Sequence, residues 1–384
     1  MYSFAQMRVA ELDGIRGLAI LLVLVTHFCL FQPQGRLEQA VRAALGMGWS
    51  GVDLFFVLSG FLITGILLRT RHLPTYFRTF YLRRSLRIFP LYYAALAVFF
   101  VVVPAIPLAR GVFQGAQAGD AFWYFSYLSN WWLANHSGHE LAHFWSLAIE
   151  EQFYLLWPAV VFLVPARKMP VVCVGFALGS YVARNVAAAW GLTDFALYMP
   201  TIFRMEGLAV GSLIACAPDR AMLVRLSRPV LFISGTFMIV LVATQGGWAL
   251  SPVMLQVAPL VLALFFGACL VNSVPPFCND PQCWQRRLLR LTFLADIGKY
   301  SYGLYVIHFP VACLLTPKLM ALWRDMPSEI NLLLPAVELL IGGAISYVIA
   351  RVSWAVLEGP MLRVKERFEY ARLAPASGAP GTSY

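Results

Sequence analysis

The chain contains ten long apolar runs, and this repeated feature limits the folds that are open to it. The runs lie near residues 15–33, 49–68, 88–104, 144–165, 170–189, 201–217, 229–244, 253–272, 301–318 and 331–357. A helix needs about 20 mostly apolar residues to cross roughly 30 Å of hydrocarbon. Only 12% of the residues are charged, whereas soluble domains carry about 25%. The sequence therefore predicts an all-α polytopic membrane protein with about ten transmembrane helices.

The distribution of basic residues sets the direction of these spans. Lys and Arg in short loops stay on the cytoplasmic side of a membrane. With the N-terminus inside, twenty of the 29 basic residues fall in inner segments and five in outer segments. We therefore predict a multi-pass protein of a bacterial cytoplasmic (inner) membrane, with both termini cytoplasmic. The excess of basic residues on the inner side, where they face anionic lipid, accounts for the net charge of +10. No nucleic-acid partner is therefore expected.

An aromatic stretch at 121–134 is a possible eleventh span. If it crossed the membrane, three later basic clusters and the C-terminal region would move outside. We predict instead an interfacial or re-entrant segment on the outer side, the zone that Trp and Tyr favour. Its Trp131 is a candidate sugar contact, although an interfacial aromatic belt is the simpler explanation of the same residues.

The domain organisation is predicted to be simple. Residues 1–370 hold all the apolar runs and are expected to form one transmembrane domain. Residues 371–384 are rich in Ala, Gly, Pro and Ser, which predicts a short disordered cytoplasmic tail.

Two ionisable residues of the first span share one helix face. Arg16 and His27 are eleven residues apart, and eleven steps of about 100° close to within about 20° of whole turns. The helical rise separates them by roughly 16 Å. Arg16 is then predicted at the inner mouth and His27 in the outer half. Histidine is costly in hydrocarbon and is the usual general base near neutral pH, so His27 is a candidate base. Two simpler roles stay open: His27 could form only a hydrogen bond between helices, and Arg16 could be only a positive charge that anchors the inner end of the span.

Carboxylates at the outer ends of two spans are candidates to orient His27. Asp53 lies near the outer start of the second span, where it could equally be a helix-start acid. Glu150 and Glu151 open the fourth span from the outside. Adjacent acids point in different directions, so at most one of the two is expected to face His27.

Arg84 and Arg87 enter the third span from the cytoplasmic side. They are spaced i, i+3, which places both on one helix face. Two guanidinium groups at one spot suit phosphate, which arginine binds bidentately. Anchoring to lipid headgroups is the alternative.

Further polar or aromatic residues in the spans are candidate substrate contacts. Ionisable groups in hydrocarbon are functional hypotheses by default. Pairing of Arg184 or Arg204 with Glu206 is an equally simple structural explanation. His308 could be a relay member or a helix contact. The candidate substrate-binding residues are Trp145, Glu151, Arg204, His308 and Trp131.

Five motifs in one order carry a resemblance to a known family. They are Glu-Leu-Asp-Gly-Ile-Arg-Gly at 11–17, Gly-Val-Asp-Leu-Phe-Phe-Val-Leu-Ser-Gly-Phe at 51–61, Arg-Ser-Leu-Arg at 84–87, Phe-Trp-Ser-Leu-Ala-Ile-Glu-Glu-Gln-Phe-Tyr at 144–154 and Ser-Tyr-Gly-Leu-Tyr-Val-Ile-His at 301–308. With them the chain resembles the integral-membrane acyltransferase type 3 family. Members of that family move acyl groups from cytoplasmic acyl-CoA onto acceptors, often extracytoplasmic carbohydrates.

The resemblance implies an acyl-CoA-dependent O-acyltransferase, with acetyl-CoA as the expected donor and no metal. Arg16, Arg84 and Arg87 are expected to hold the CoA phosphates. His27 is expected to take a proton from a hydroxyl of the acceptor, a carbohydrate or glycolipid, with Asp53 or Glu150 orienting the ring. Direct attack is preferred to an acyl-enzyme, because no Ser or Cys is evidently paired with this histidine.

Two alternatives remain open on the sequence. The acceptor could be a small molecule such as a macrolide, which would keep the chemistry and change the substrate. The chain could also be a transporter of a lipid-linked sugar that does no chemistry and uses the same intramembrane charges. A transporter has no special need for arginines at the inner mouth together with a histidine on the same helix face.

Overall fold

The described part of the chain is helical. The structure, a computed structural model, describes residues 9–29, 31, 33, 35–106, 118–136, 138, 140–275, 277–278, 280, 282–323 and 333–368. Within these residues there are helices and turns and no β-strand. The predicted tail at 371–384 lies outside the described residues.

Seventeen helices are labelled here in chain order. The first nine are α1 (Ala10–Phe28), α2 (Arg36–Gly46), α3 (Gly51–Thr70), α4 (Tyr76–Ala97), α5 (Ala121–Phe125), α6 (Ser129–Leu133), α7 (Phe144–Leu163), α8 (Met169–Ala189) and α9 (Asp194–Tyr198). The next eight are α10 (Glu206–Cys216), α11 (Arg220–Gln245), α12 (Pro252–Ser273), α13 (Trp284–Leu289), α14 (Thr292–Lys299), α15 (Ser301–Trp323), α16 (Leu334–Ser353) and α17 (Gly359–Glu366).

Eight helical segments among the described residues are long and apolar enough to cross a membrane. They contain α3, α4, α7, α8, α11, α12, α15 and α16. Helix α1 is not one of them and carries ionisable residues in its first two turns, and α10 has only 11 residues. These ten helices coincide with the ten predicted spans. The prediction of an all-α chain with many possible spans is confirmed, while the count of ten and the cytoplasmic termini stay predictions.

The aromatic stretch forms two short helices. α5 and α6 have five residues each, which at 1.5 Å per residue is far too short to cross a bilayer. The Asn130 side chain donates to Thr201 Oγ1 at 2.9 Å, and the Gln152 side chain donates to Tyr127 O at 2.8 Å. These bonds hold the segment against α7 and the turn that follows α9.

Helix α1 lies inside the bundle. It contacts α3, α14, α15 and α16, and Ile20 and Val23 are no more than 1% exposed. No residue of α1 is exposed. Its ionisable side chains are therefore held within the protein and not against lipid.

Glycines allow α3 to lie close to its neighbours. A Cβ atom on Gly51 would come within 2.4 Å of Ala19 O in α1. One on Gly60 would come within 2.0 Å of Leu208 O in α10. Small residues let helix backbones approach in this way, so α3 packs closely against α1 and α10 at these two glycines.

The short helices α13 and α14 pack against the start of α1. A Cβ atom on Gly14 would come within 1.9 Å of Leu289 O, and one on Gly298 within 1.8 Å of Asp13 O. Arg286 donates to Glu11 Oε1 at 2.8 Å from Nη2 and at 3.0 Å from Nε. This backbone-to-backbone packing fixes the position of α14 relative to Arg16.

Substituting Gly14 by alanine is expected to destabilise the protein. The added methyl group meets a backbone carbonyl that cannot move without its helix, and overpacking of this kind costs about 1–3 kcal/mol. Gly179→Ala in α8 is the matched control, because a Cβ atom there has no neighbour within 4 Å. It should be neutral or stabilising by up to about 1 kcal/mol. Equilibrium unfolding in detergent measures the free energy of unfolding of both variants. Equal values for the two would contradict the close packing at Gly14.

Candidate active site

A cavity of about 180 Å³ lies near the N-terminal end of α1. It is called the inner cavity here, and its lining residues are Asp13, Arg16, Arg87, Gly298, Lys299, Tyr302, Trp354, Glu358 and Leu362. Three of these side chains are cationic and two are carboxylates. The walls come from four parts of the chain that are far apart in sequence.

The three arginines predicted to bind phosphate come together at this cavity. Arg16 and Arg87 line it, and Arg84 is close enough to interact electrostatically with both. Arg16 Nη1 donates to Asp13 Oδ1 at 2.9 Å. The guanidinium of Arg84 lies 5.5 Å from the centre of the Tyr154 ring. A cationic cluster of this kind attracts anions and suits phosphate in particular.

Of the nine residues that line the inner cavity, only Arg16 and Arg87 were among the predicted site residues. Lys299 Nζ lies 5.5 Å from the Trp354 ring centre. A π-helical turn at Trp354–Glu358 continues α16 and brings both of its end residues to the cavity wall. Such turns are frequent at functional sites. In the sequence Lys299 was visible only as one of the inner positive charges, so no local signal marked it.

His27 lies near the other end of α1 and is half-buried. Its Nδ1 atom is 2.9 Å from Val23 O. A carbonyl oxygen only accepts, so Nδ1 carries the proton and Nε2 of the neutral ring keeps a lone pair. Among the described residues nothing forms a hydrogen bond with His27 Nε2, so this atom is free to receive a proton.

Two further histidines gather beside His27. The rings of His27 and His308 are 5.0 Å apart, and those of His308 and His143 are 5.1 Å apart. His308 is fully buried and His143 is 4% exposed. His143 precedes α7 and was not among the predicted site residues. No described group of three or more His, Cys, Asp or Glu residues is arranged to hold a metal ion.

Neither of the two carboxylates predicted to orient His27 is bonded to it. Asp53 Oδ1 accepts from Arg204 Nη2 at 3.0 Å. Glu150 Oε1 accepts from Ser59 Oγ at 2.5 Å and interacts electrostatically with Arg84. Asp53 is therefore held in an ion pair with Arg204, which lies just before α10. Glu150 faces the arginine cluster.

The polar residues at the start of α10 form two buried ion pairs. One joins Arg204 to Asp53, and the other joins Arg184 Nη1 to Glu206 Oε1 at 2.5 Å. Trp145, a predicted substrate contact, lies with its ring centre 5.4 Å from the Arg204 guanidinium. Arg204 and Trp145 are thus packed together in the interior, 1% and 6% exposed.

The last two predicted substrate contacts lie in different surroundings. Glu151 is electrostatically coupled to Tyr92, Tyr127 and Tyr302, so it lies between α4, the aromatic stretch and α15. Trp131 is 43% exposed. Of the five predicted substrate-binding residues, only His308 is a direct neighbour of His27 in the described structure.

The described part of the chain thus has a cationic cavity at one end of α1 and a half-buried imidazole near the other. Comparison with known proteins shows the family to which the chain belongs. A family described as "Acyltransferase domain" matches residues 9–354. The chain belongs to this family, which confirms the resemblance seen in its motifs.

Several bacterial proteins are similar to the chain. Peptidoglycan O-acetyltransferase OatA of Listeria monocytogenes is 28% identical over 384 aligned residues, which cover 93% of this chain and 56% of that protein. Putative peptidoglycan O-acetyltransferase YrhL of Bacillus subtilis is 31% identical over 343 residues, or 80% and 49% of the two chains. O-acetyltransferase OatA of Staphylococcus aureus is 27% identical over 330 residues, or 78% and 50%. The chain thus spans about half the length of these relatives. No solved structure matches it.

Proposed function

We propose that the protein transfers an acetyl group from cytoplasmic acetyl-CoA to a hydroxyl of an extracytoplasmic carbohydrate, with peptidoglycan as the first candidate. The observation that carries the proposal is on α1, which presents Arg16 to the inner cavity and His27 to the histidine pair at its other end. Membership of the acyltransferase family supports the reaction class. Similarity to proteins named peptidoglycan O-acetyltransferases supports the acetyl group and the acceptor.

The donor phosphates bind at the inner cavity. Arg16, Arg84 and Arg87 converge there, and Lys299 adds a fourth cation within reach. Asp13 and Glu358 hold the cationic side chains in place while the site is empty of anions. Hydrogen bonds from guanidinium to phosphate are charge-assisted and bidentate, so this cluster supplies most of the affinity for CoA.

The acyl-pantetheine arm follows α1 from the cavity to His27. Ile20 and Val23 occupy the same helix face between the two sites and are buried. Their apolar side chains suit a slender thioester arm. Because both are enclosed by neighbouring helices, those helices must separate slightly when the donor binds.

His27 acts as the general base. Its Nε2 lone pair takes the proton from the acceptor hydroxyl while the hydroxyl oxygen forms a bond to the acetyl carbonyl carbon. The C–S bond then breaks, and the CoA thiolate leaves with the proton from His27, so that the ring returns to its neutral form. Positioned proton transfer of this kind contributes about 10²–10⁴-fold to a rate.

Two outcomes of an acceptor assay decide between this proposal and its nearest alternative. Purified protein in nanodiscs is given acetyl-labelled acetyl-CoA with peptidoglycan fragments or with a macrolide. Label on a glycan hydroxyl, found by mass spectrometry, supports the proposal. Label on the macrolide alone would assign the small-molecule alternative. A transporter without chemistry is disfavoured, because the chain belongs to an acyltransferase family.

Arg87→Ala is expected to weaken acetyl-CoA binding by about 10–100-fold, since a hydrogen bond to a charged group contributes about 1.5–3 kcal/mol. Arg78→Ala removes the same charge from an exposed position of the same helix and should change the Kd less than about 3-fold, because exposed charges are screened. Calorimetric titration in nanodiscs measures both. Equal weakening by the two variants would mean that only general surface charge attracts the donor.

A further inference from the structure

The side chain that pairs with His27 is an imidazole and not a carboxylate. His308 Nε2 lies 3.3 Å from His27 Nδ1, and no described carboxylate is hydrogen-bonded to His27. A base that becomes cationic during the reaction needs an acceptor for its second N–H group, the place that Asp fills in an Asp–His pair. In this protein two acceptors share that place, Val23 O at 2.9 Å and His308 Nε2 at 3.3 Å, and His308 is the side chain among them.

The protonation of His308 follows from its own helix. Its Nδ1 atom is 2.7 Å from Tyr305 O and 3.2 Å from Leu304 O. Both neighbours only accept, so Nδ1 carries the proton of the neutral ring and Nε2 keeps the lone pair. His308 is therefore a fixed acceptor directed at His27 Nδ1.

The rest of the cluster leaves His308 little freedom to turn. His308 is 0% exposed, and the Tyr305 ring centre lies 5.5 Å from its own. The Tyr305 hydroxyl donates to His143 O at 2.9 Å, and His143 Nε2 is 3.2 Å from Val306 O. These contacts join α15 to the start of α7 around the His308 ring.

We propose that His308 is a positioning residue for the general base. It accepts the Nδ1–H bond of His27 together with Val23 O, keeps the lone pair of His27 on Nε2, and shares the charge of the imidazolium that forms when the acceptor hydroxyl loses its proton. This role rests on the proposed function of His27. A neutral acceptor suits this interior, since an ionised carboxylate would be costly there.

Two near-isosteric variants separate positioning from packing. Glutamine places its amide near the position of the histidine Nε2 atom and can accept from His27. Asparagine places its amide near the Nδ1 position, where it keeps the contact with the carbonyls of its own helix and loses the contact with His27. We expect kcat for acetyl transfer to fall less than about 5-fold in His308→Gln and about 100-fold in His308→Asn, with the KM for acetyl-CoA unchanged in both.

A measurement on the wild-type protein tests the same point without any substitution. Nitrogen-15 spectra of histidine-labelled protein should show both His27 and His308 as Nδ1–H tautomers. An Nε2–H tautomer at His27 would overturn the proposal.

The outcomes also separate this inference from the function on which it rests. If His27→Ala is inactive while the Gln and Asn variants at position 308 are equally active, the positioning role of His308 is wrong and His27 is still supported as the general base. If His27→Ala transfers acetyl groups as fast as wild type, the base and its positioning residue are both wrong. A change in KM with an unchanged kcat would assign His308 to substrate binding.

Discussion

His27→Ala is expected to lower acetyl transfer at least about 100-fold while leaving acetyl-CoA binding unchanged. The rate falls because the variant has no group to take the hydroxyl proton, and a positioned base contributes about 10²–10⁴-fold. Binding persists because the phosphates are held at Arg16 and its neighbours, about 16 Å away along α1. The two quantities are measured on the same nanodisc preparation, by product formation and by calorimetric titration.

The control for this experiment is His72→Ala. His72 is exposed in the turn between α3 and α4 and has no part in the proposed chemistry, so its substitution should leave rate and affinity as they are. A His27 variant that loses affinity and rate together would place the histidine in donor binding. One that keeps its rate would contradict the general-base assignment.

Asp53→Ala is expected to cost about 3–5 kcal/mol of stability, the usual penalty for leaving a buried charge without its partner. Arg204 is 1% exposed and its guanidinium lies 4.6 Å from the Tyr198 ring centre, so it cannot turn out to water. The double variant Asp53→Ala/Arg204→Met should recover most of the loss, because it removes both charges. Equilibrium unfolding of Asp53→Ala, Arg204→Met and the double variant in mixed micelles gives the three free-energy changes of a double-mutant cycle.

Asp219→Ala is a useful reference for that cycle. Asp219 caps α11 by accepting from Met222 N at 3.0 Å, and loss of such a cap costs about 1 kcal/mol. An Asp53 variant no less stable than the Asp219 variant would contradict a structural role. If it also kept its stability and lost turnover, Asp53 would act on His27 after all, as the sequence predicted.

Features that lie on one helix were predictable from the sequence. Helical periodicity alone predicts that Arg16 and His27 lie on one face of α1. The i, i+3 spacing predicts the same for Arg84 and Arg87 on α4. Their convergence at the inner cavity required only that α1 and α4 enter from the same side. The structure brings these arginines together as expected.

Lateral neighbours could not be read from the same pattern. Asp53 and His27 were predicted to meet because both lie near the outer ends of their helices, but depth along a helix does not fix the direction in which a side chain points. Arg204, at the start of the apolar run 201–217, forms an ion pair with the Asp53 carboxylate instead. His308 was marked as a costly intramembrane residue, and only the packing of α15 on α1 identifies its partner.

The inner cavity also depends on packing that the sequence pattern does not show. Lys299 reaches it because α14 lies against α1 through glycine contacts at Gly14 and Gly298. Trp354 and Glu358 reach it because the helix has a π-helical turn there. The spacing of apolar residues does not predict which glycines of distant segments will touch. It also does not predict where a helix will contain the extra residue of a π-helical turn.

The central claim is that one chain moves an acetyl group from a donor on one side of the membrane to a hydroxyl on the other. Proteoliposomes of uniform orientation test it directly, with acetyl-labelled acetyl-CoA on the side of the inner cavity and peptidoglycan fragments only on the opposite side. We expect labelled glycan with wild type and none with His27→Ala. Label that appears only when donor and acceptor share one side would contradict the claim.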